Sequence, residues 1–135
     1  MHTRTALGFT AKLTGKRVLV VEDEALVSML VEDELLDAGA KVVGPAACID
    51  DALRLIEAAA ADGGLSAAVL DINLGGQQVW PVADRLAALG VPFLFARGYG
   101  EGCDTGGHGA VPTLHKPFAP ERLITAIEAL APVGK

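Results

Sequence analysis

Four carboxylates, one amide and one lysine stand at or just past the ends of short apolar runs in this chain. Glu22, Asp23 and Glu24 follow Val18-Leu19-Val20-Val21. Asp71 ends Ala67-Ala68-Val69-Leu70, Asn73 lies two residues on, and Lys116 follows a run that closes near Leu114. Acids gathered with room for water suit Mg²⁺, a hard cation that takes oxygen ligands and keeps several waters. A carboxylate beside such an ion can attack a phosphoryl group and become an aspartyl phosphate. That transfer depends on positioning and charge neutralisation more than on covalent help. In this chemistry Asp23 holds the metal, Asp71 attacks, and Lys116 balances the phosphoryl charge.

These residues meet only if the elements between them bring the strand ends to one rim. Val18–Val21 and Ala67–Leu70 are continuous apolar runs, as in strands of a parallel sheet covered on both faces. Lys41-Val42-Val43, Phe93–Ala96 and Ala110–Leu114 supply three more strands, with Gly44-Pro45 as a break. Helical spacing predicts helices over 25–38 (Leu26, Met29, Leu30, Leu36) and 50–61 (Ala52, Leu55, Ile56, Ala59). It predicts two more from Val79 to Leu89 and over 119–131, the latter facing Leu123, Ile124, Ile127 and Leu130 inward. Gly39 and Gly90 supply stops, Gly75-Gly76 a loop, and Pro81 fits a first turn. Alternating strands and helices imply right-handed crossovers and a doubly wound parallel sheet. One such solution has strand order 2-1-3-4-5, with its ligand site at the carboxyl ends of strands one and three. Six glycines in 98–110 leave no helical period, so a fourth helix is expected to be short or missing.

The bulk numbers agree with one domain. The chain has 135 residues, and its net charge of -6 excludes the basic footprint of a nucleic-acid binder. It also argues against an anionic membrane surface. No apolar run spans a bilayer and no signal-peptide stretch opens the chain, which predicts a cytoplasmic address. Cys48 and Cys103 then read as reduced thiols. Residues 1–15 read as a flexible arm, 16–132 as the domain, with no output domain after it.

The segments Val-Leu-Val-Val-Glu-Asp-Glu (18–24), Leu-Asp-Ile-Asn-Leu (70–74) and Lys-Pro-Phe (116–118) resemble the receiver domains of two-component response regulators, over roughly residues 16–132. Pro92–Tyr99 is similar to the signature of the FATGUY subgroup of single-domain receivers. The resemblance implies a flavodoxin-like fold and a signalling module that catalyses only its own phosphorylation and dephosphorylation. It implies Asp71 as phosphoacceptor and Lys116 as the partner of the phosphate. Glu22, Asp23, Asp71 and the Asn73 carbonyl would then be the ligands of Mg²⁺. The phosphoryl donor would be a sensor histidine kinase or a phosphotransfer protein. Output would run through an unknown downstream protein, or the domain would serve as a phosphate sink.

Two positions depart from the family pattern. Arg97 stands where a Thr or Ser normally follows strand four, and Thr113 where an aromatic switch normally lies. Arg97 either grips the phosphoryl group through two parallel hydrogen bonds or points to solvent. It makes a pseudo-receiver, binding partners without phosphorylation, the main alternative. An aspartyl-nucleophile phosphatase would want an acid at Asn73. A flavin site would place Glu22-Asp23-Glu24 against a phosphate. Glu24 reads as an acid favourable to a helix N-terminus. Trp80 reads as a helix-start packing residue, Tyr99 as a loop aromatic, His115 as facing away from the acids, and His108 as lacking ligand partners at metal spacing.

Overall fold

The computed structural model describes residues 12–98 and 104–130. Val18 and Val20 turn to one side of the first strand, β1 (Arg17–Val21), and Leu19 and Val21 to the other. That alternation, possible because every second side chain shares a face, lets one strand feed two cores. The remaining strands are β2 (Lys41–Ala46), β3 (Ala67–Asp71), β4 (Phe93–Arg97) and β5 (Thr113–His115). They pair in parallel in the order β2-β1-β3-β4-β5, the doubly wound order expected. A separate two-rung hairpin joins Asn73–Leu74 to Gln77–Gln78.

Four helices flank the sheet among the described residues: α1 (Ala25–Asp37), α2 (Ile49–Ala60), α3 (Trp80–Ala88) and α4 (Pro120–Leu130). Ala52 and Ile56 of α2 and Val82 and Leu86 of α3 pack with Leu19, Leu70 and Phe95 on one face. Val31 and Leu35 of α1 and Leu123 and Ile127 of α4 pack with Val18, Val20 and Leu94 on the other. Fully burying one such aliphatic side chain stabilises by about 1.5–3 kcal/mol. Pro81 lies in the first turn of α3, as its missing N–H allows. No helix appears among the described residues between β4 and β5.

Several boundaries and faces differ from the sequence reading. The expected inward face of α1 is reversed: Leu26, Met29, Leu30 and Leu36 are exposed, and Ser28, Val31 and Leu35 are buried. This helix carries apolar residues all round, so periodicity selects no face, and packing on β1 chooses Val31 and Leu35. Leu89 is exposed because α3 ends before it. β2 runs on through Gly44-Pro45 to Ala46, with an irregular register against β1. β5 begins at Thr113 rather than Ala110. Of the expected arm, residues 1–11 lie outside the described residues. Leu13 is fully buried, and its N–H donates to the Ala38 carbonyl at 2.8 Å. Tyr99 and Cys103 also lie outside the described residues, and Cys48 is a free, exposed thiol. No helix among the described residues is long and apolar enough to cross a membrane.

Candidate functional site

The carboxyl ends of β1, β3 and β5 converge on one rim. The Glu22 N–H donates to the Ala46 carbonyl (2.9 Å), which carries the chain past β1 with the Glu22 side chain turned inward and buried. Asp71 ends β3 beside Ala96 of β4, and its side chain is 4 % exposed. The Lys116 N–H donates to the Arg97 carbonyl (2.8 Å), placing the lysine at the same rim. The Lys116 ammonium lies 2.9 Å from Glu22 Oε1, 3.4 Å from Asp71 Oδ2 and 3.4 Å from Glu24 Oε1.

Asp23 is fixed from across the gap. Gly75 and Gly76 both take positive φ (58° and 93°), the conformation a two-residue hairpin turn requires of its central pair. The turn aims the Gly75 N–H at Asp23 Oδ2 (2.9 Å), and the Gly76 N–H donates to Asn73 Oδ1 (2.8 Å). Asp23, Glu24, Asp71, Asn73, Gly98 and Lys116 line an open cleft of about 270 Å³.

One lysine faces this crowd of acids. Asp71 is pushed up to about 8, first by burial and next by the Glu22 charge. Lys116 pulls it back, and a Glu22 hydrogen bond and the Asp23 charge raise it further. Lys116 is itself raised by Glu22, Asp71 and Glu24, against the opposing effect of its burial. Carboxylate oxygens of Glu22, Asp23 and Asp71 all lie within 4.8 Å of one another. Among the described residues Asp71 Oδ1 is buried with no hydrogen-bond partner, an arrangement that costs about 1–3 kcal/mol when left unmet. Three converging oxygen donors and an orphaned carboxylate oxygen fit a hard divalent cation of the Mg²⁺ type.

Arg97 does not point to solvent. It is buried, and its Nη2 donates to the Asp104 carbonyl at 2.8 Å. Asp104 Oδ1 in turn accepts the Gly106 N–H (2.9 Å). Gly106 lies against the Trp80 ring, and His108 Nε2 meets Asp84 Oδ1 of α3 at 2.8 Å. Side-chain anchors thus hold segment 104–108 where a helix was expected to fail. A Cβ on Gly106 would stand 2.3 Å from Trp80 Cδ2, at φ +60°. Gly106→Ala is expected to cost about 1–2 kcal/mol and to shift Trp80 emission, read by thermal melting and fluorescence.

The structure brings together Glu22, Asp23, Asp71 and Lys116 and places Asn73 on the cleft wall. Glu24, read as a helix-terminal acid, is the N-cap of α1 without a side-chain capping bond and turns toward Lys116 instead. Its place directly after Asp23 was the only signal available. The His108–Asp84 pair had none, since 24 residues separate the two. His115 is exposed and pairs in register with Arg97. Trp80 packs edge-to-face on Phe95 at 5.6 Å, as a packing residue should.

No family model matches the chain, and no curated protein does. Solved structures do. SdrG from Sphingomonas melonis Fr1 is 40% identical over 88% of this chain and 97% of its own, with a TM-score of 0.73. The receiver domain of the PhyR response regulator from Erythrobacter litoralis is 27% identical over 87% and 90%, also at 0.73. A response regulator receiver protein from Sinorhizobium medicae WSM419 is 26% identical over 87% and 95%, at 0.71.

Proposed function

Because the chain belongs to the response-regulator receiver family, we propose that it accepts a phosphoryl group on Asp71 in a Mg²⁺-dependent reaction and signals through protein contacts. The observation that carries this reading is the buried Asp71 carboxyl, orphaned at Oδ1 and set 3.4 Å from the Lys116 ammonium. Glu22, Asp23, Asp71 and the Asn73 carbonyl are the proposed metal ligands. When bound there, Mg²⁺ neutralises charge on the carboxylates and on the incoming phosphoryl oxygens. A bond forms from an Asp71 carboxylate oxygen to phosphorus as the bond to the donor breaks. Lys116 stays at hand for the added charge. The donor is a sensor histidine kinase or phosphotransfer protein, and the setting is cytoplasmic. Chemistry is confined to the domain's own modification and its reversal.

Arg97 gains a defined part in this reading. Its donors already meet one carbonyl oxygen at the β4 end, beside Gly98 of the cleft wall. Phosphoryl oxygens would offer it a charge-assisted alternative. Exchange of partner would release segment 104–108 at Asp104 while His108 holds it at Asp84. A switch needs such a contact that differs between its two states.

Intact-mass analysis after incubation with acetyl phosphate and Mg²⁺ tests the reading. One added phosphoryl mass is expected with Mg²⁺, and none with a chelator. No mass gain in either sample would favour the pseudo-receiver. The metal step has its own signature. With Asp71 near 8, its carboxyl holds a proton at neutral pH that a cation must displace. Mg²⁺ affinity should therefore rise up to about tenfold per pH unit below 8 and flatten above it. Calorimetric titrations at pH 6, 7, 8 and 9 measure this, and equal affinities at pH 6 and 8 would contradict it.

A further inference from the structure

Glu24 is the acid of the rim that neither attacks nor belongs to the proposed metal ligands. It is the N-cap of α1, yet its side chain caps nothing. Its N–H donates to Glu22 Oε2 at 3.1 Å, while Glu22 Oε1 takes the Lys116 ammonium at 2.9 Å. Both oxygens of Glu22 are thereby engaged, one holding the main chain at Glu24 and the other holding the lysine. This double hold brings the Glu24 carboxylate to 3.4 Å from the same ammonium.

Depth separates the acids. The side chains of Asp71 and Glu22 are buried and form the floor, whereas that of Glu24 is 64% exposed and stands on the wall of the open cleft. Asp23 is also exposed, but its Oδ2 is taken by the Gly75 N–H. Phosphoryl transfer runs with the attacking and leaving atoms roughly in line across phosphorus. With Asp71 attacking from the floor, the leaving group departs outward through the mouth, past Glu24. Lys116 then faces the phosphoryl oxygens, and the Glu24 charge loses its counterion.

We propose that Glu24 is a specificity-determining residue of the transfer reaction: its carboxylate selects phosphoryl donors by the charge of the leaving group, favouring a cationic nitrogen over an acyl oxygen. Selection of this kind rests on Asp71 being the acceptor, as proposed above. In an N-phosphoryl donor, such as a phosphorylated imidazole, the nitrogen group carries a proton and a positive charge. The Asp71 oxygen bonds to phosphorus, the P–N bond breaks, and its electron pair stays on nitrogen, which leaves as a neutral amine or imidazole. Counted from free donor, the positive charge remaining in the transition state is attracted by Glu24. In an acyl phosphate the P–O bond breaks, its electron pair stays on oxygen, and the growing carboxylate charge is repelled. Both donors present the same phosphoryl oxygens, so the effect of Glu24 on those oxygens cancels in the ratio of the two rates.

The test uses the full chain at saturating Mg²⁺. Second-order rates of labelling are followed by intact mass with phosphoramidate and with acetyl phosphate, each below saturation. A unit charge a few ångströms away across water alters a rate about several-fold. Glu24→Gln is expected to speed labelling by acetyl phosphate and slow labelling by phosphoramidate, lowering the phosphoramidate-to-acetyl phosphate ratio about three- to tenfold. Glu24→Lys should lower it further, and high salt should bring the wild-type ratio toward that of Glu24→Gln. A purely structural role would move both rates together, so a ratio that stays constant across the three proteins, or rises, would overturn the proposal. The reading beneath it fails differently: if neither donor labels the wild type, Asp71 is not the acceptor and the selection falls with it. A labelled wild type with a constant ratio removes the selection alone.

Discussion

Asp71→Asn is expected to abolish phosphorylation and, in Mg²⁺-free buffer, to make the protein more stable. The first effect follows from removing the nucleophile. The second follows from the position of the carboxyl, near 8 in the fold against 3.8 in the unfolded chain. A folded acid that resists ionisation binds more protons than its unfolded form. Its presence therefore costs nothing below about pH 4, costs progressively more as pH climbs, and costs most above 8. Asparagine removes this penalty but loses the attraction to Lys116, and we expect a net gain of about 2 kcal/mol at pH 8. Denaturant melts of both proteins at pH 4.5 and pH 8 measure it, and Mg²⁺ should narrow the gap by stabilising only the wild type. Equal stability at pH 8 would mean that the buried carboxyl is not strained by its surroundings. Phosphoryl uptake by Asp71→Asn equal to the wild type would remove Asp71 from its role.

The second large effect is expected at Lys116. Its ammonium is the cation shared by Glu22, Glu24 and Asp71, and its side chain is only 16% exposed. Lys116→Met would leave these acids, with Asp23 beside them, facing one another without a compensating charge. Removing one partner of a buried ion pair typically costs 3–5 kcal/mol. The cleft is open to water on one side, so about 2–3 kcal/mol is the expected loss here. Because Lys116 is held above its ordinary value of 10.5, its contribution is complete at pH 7, begins to fade above the ordinary lysine value and is lost as pH rises through the raised one. Loss of the lysine should also be relieved in part by Mg²⁺ and by acidification, both of which reduce the negative charge. Combining Lys116→Met with Asp71→Asn should cost less than the two changes summed, since the pair no longer interacts. Strict additivity would contradict the 3.4 Å contact.

What the sequence made legible tracks how strongly each local pattern is over-determined. β1, β3 and β4 are buried on both faces, so an unbroken apolar run can mean little else, and their ends fixed the acid rim in advance. Asp23 and Asp71 were readable because they stand at the ends of β1 and β3, and Lys116 because it follows the short fifth apolar run. α1 was misread because leucine, valine and methionine occupy nearly every side of it. Its burial is decided by the sheet, which a helical window does not contain. The hold of Asp104 on Arg97 was invisible for another reason: its acceptor is a main-chain carbonyl, which no residue type announces. Glu24 was assigned to the helix dipole, and its turn toward Lys116 is a long-range contact across 92 residues.

That main-chain acceptor bears on how freely the sequence around Arg97 can drift. Every amino acid offers a carbonyl, so the bond from Arg97 to the main chain at position 104 does not itself call for aspartate there. The Gly106 N–H bond to Asp104 Oδ1, by contrast, depends on that side chain. The guanidinium has no such latitude: a lysine there keeps the charge but not the planar set of donors. A lineage of such domains could therefore rewrite the surface next to the cleft, and with it the choice of partner, while the arginine beneath stays the same.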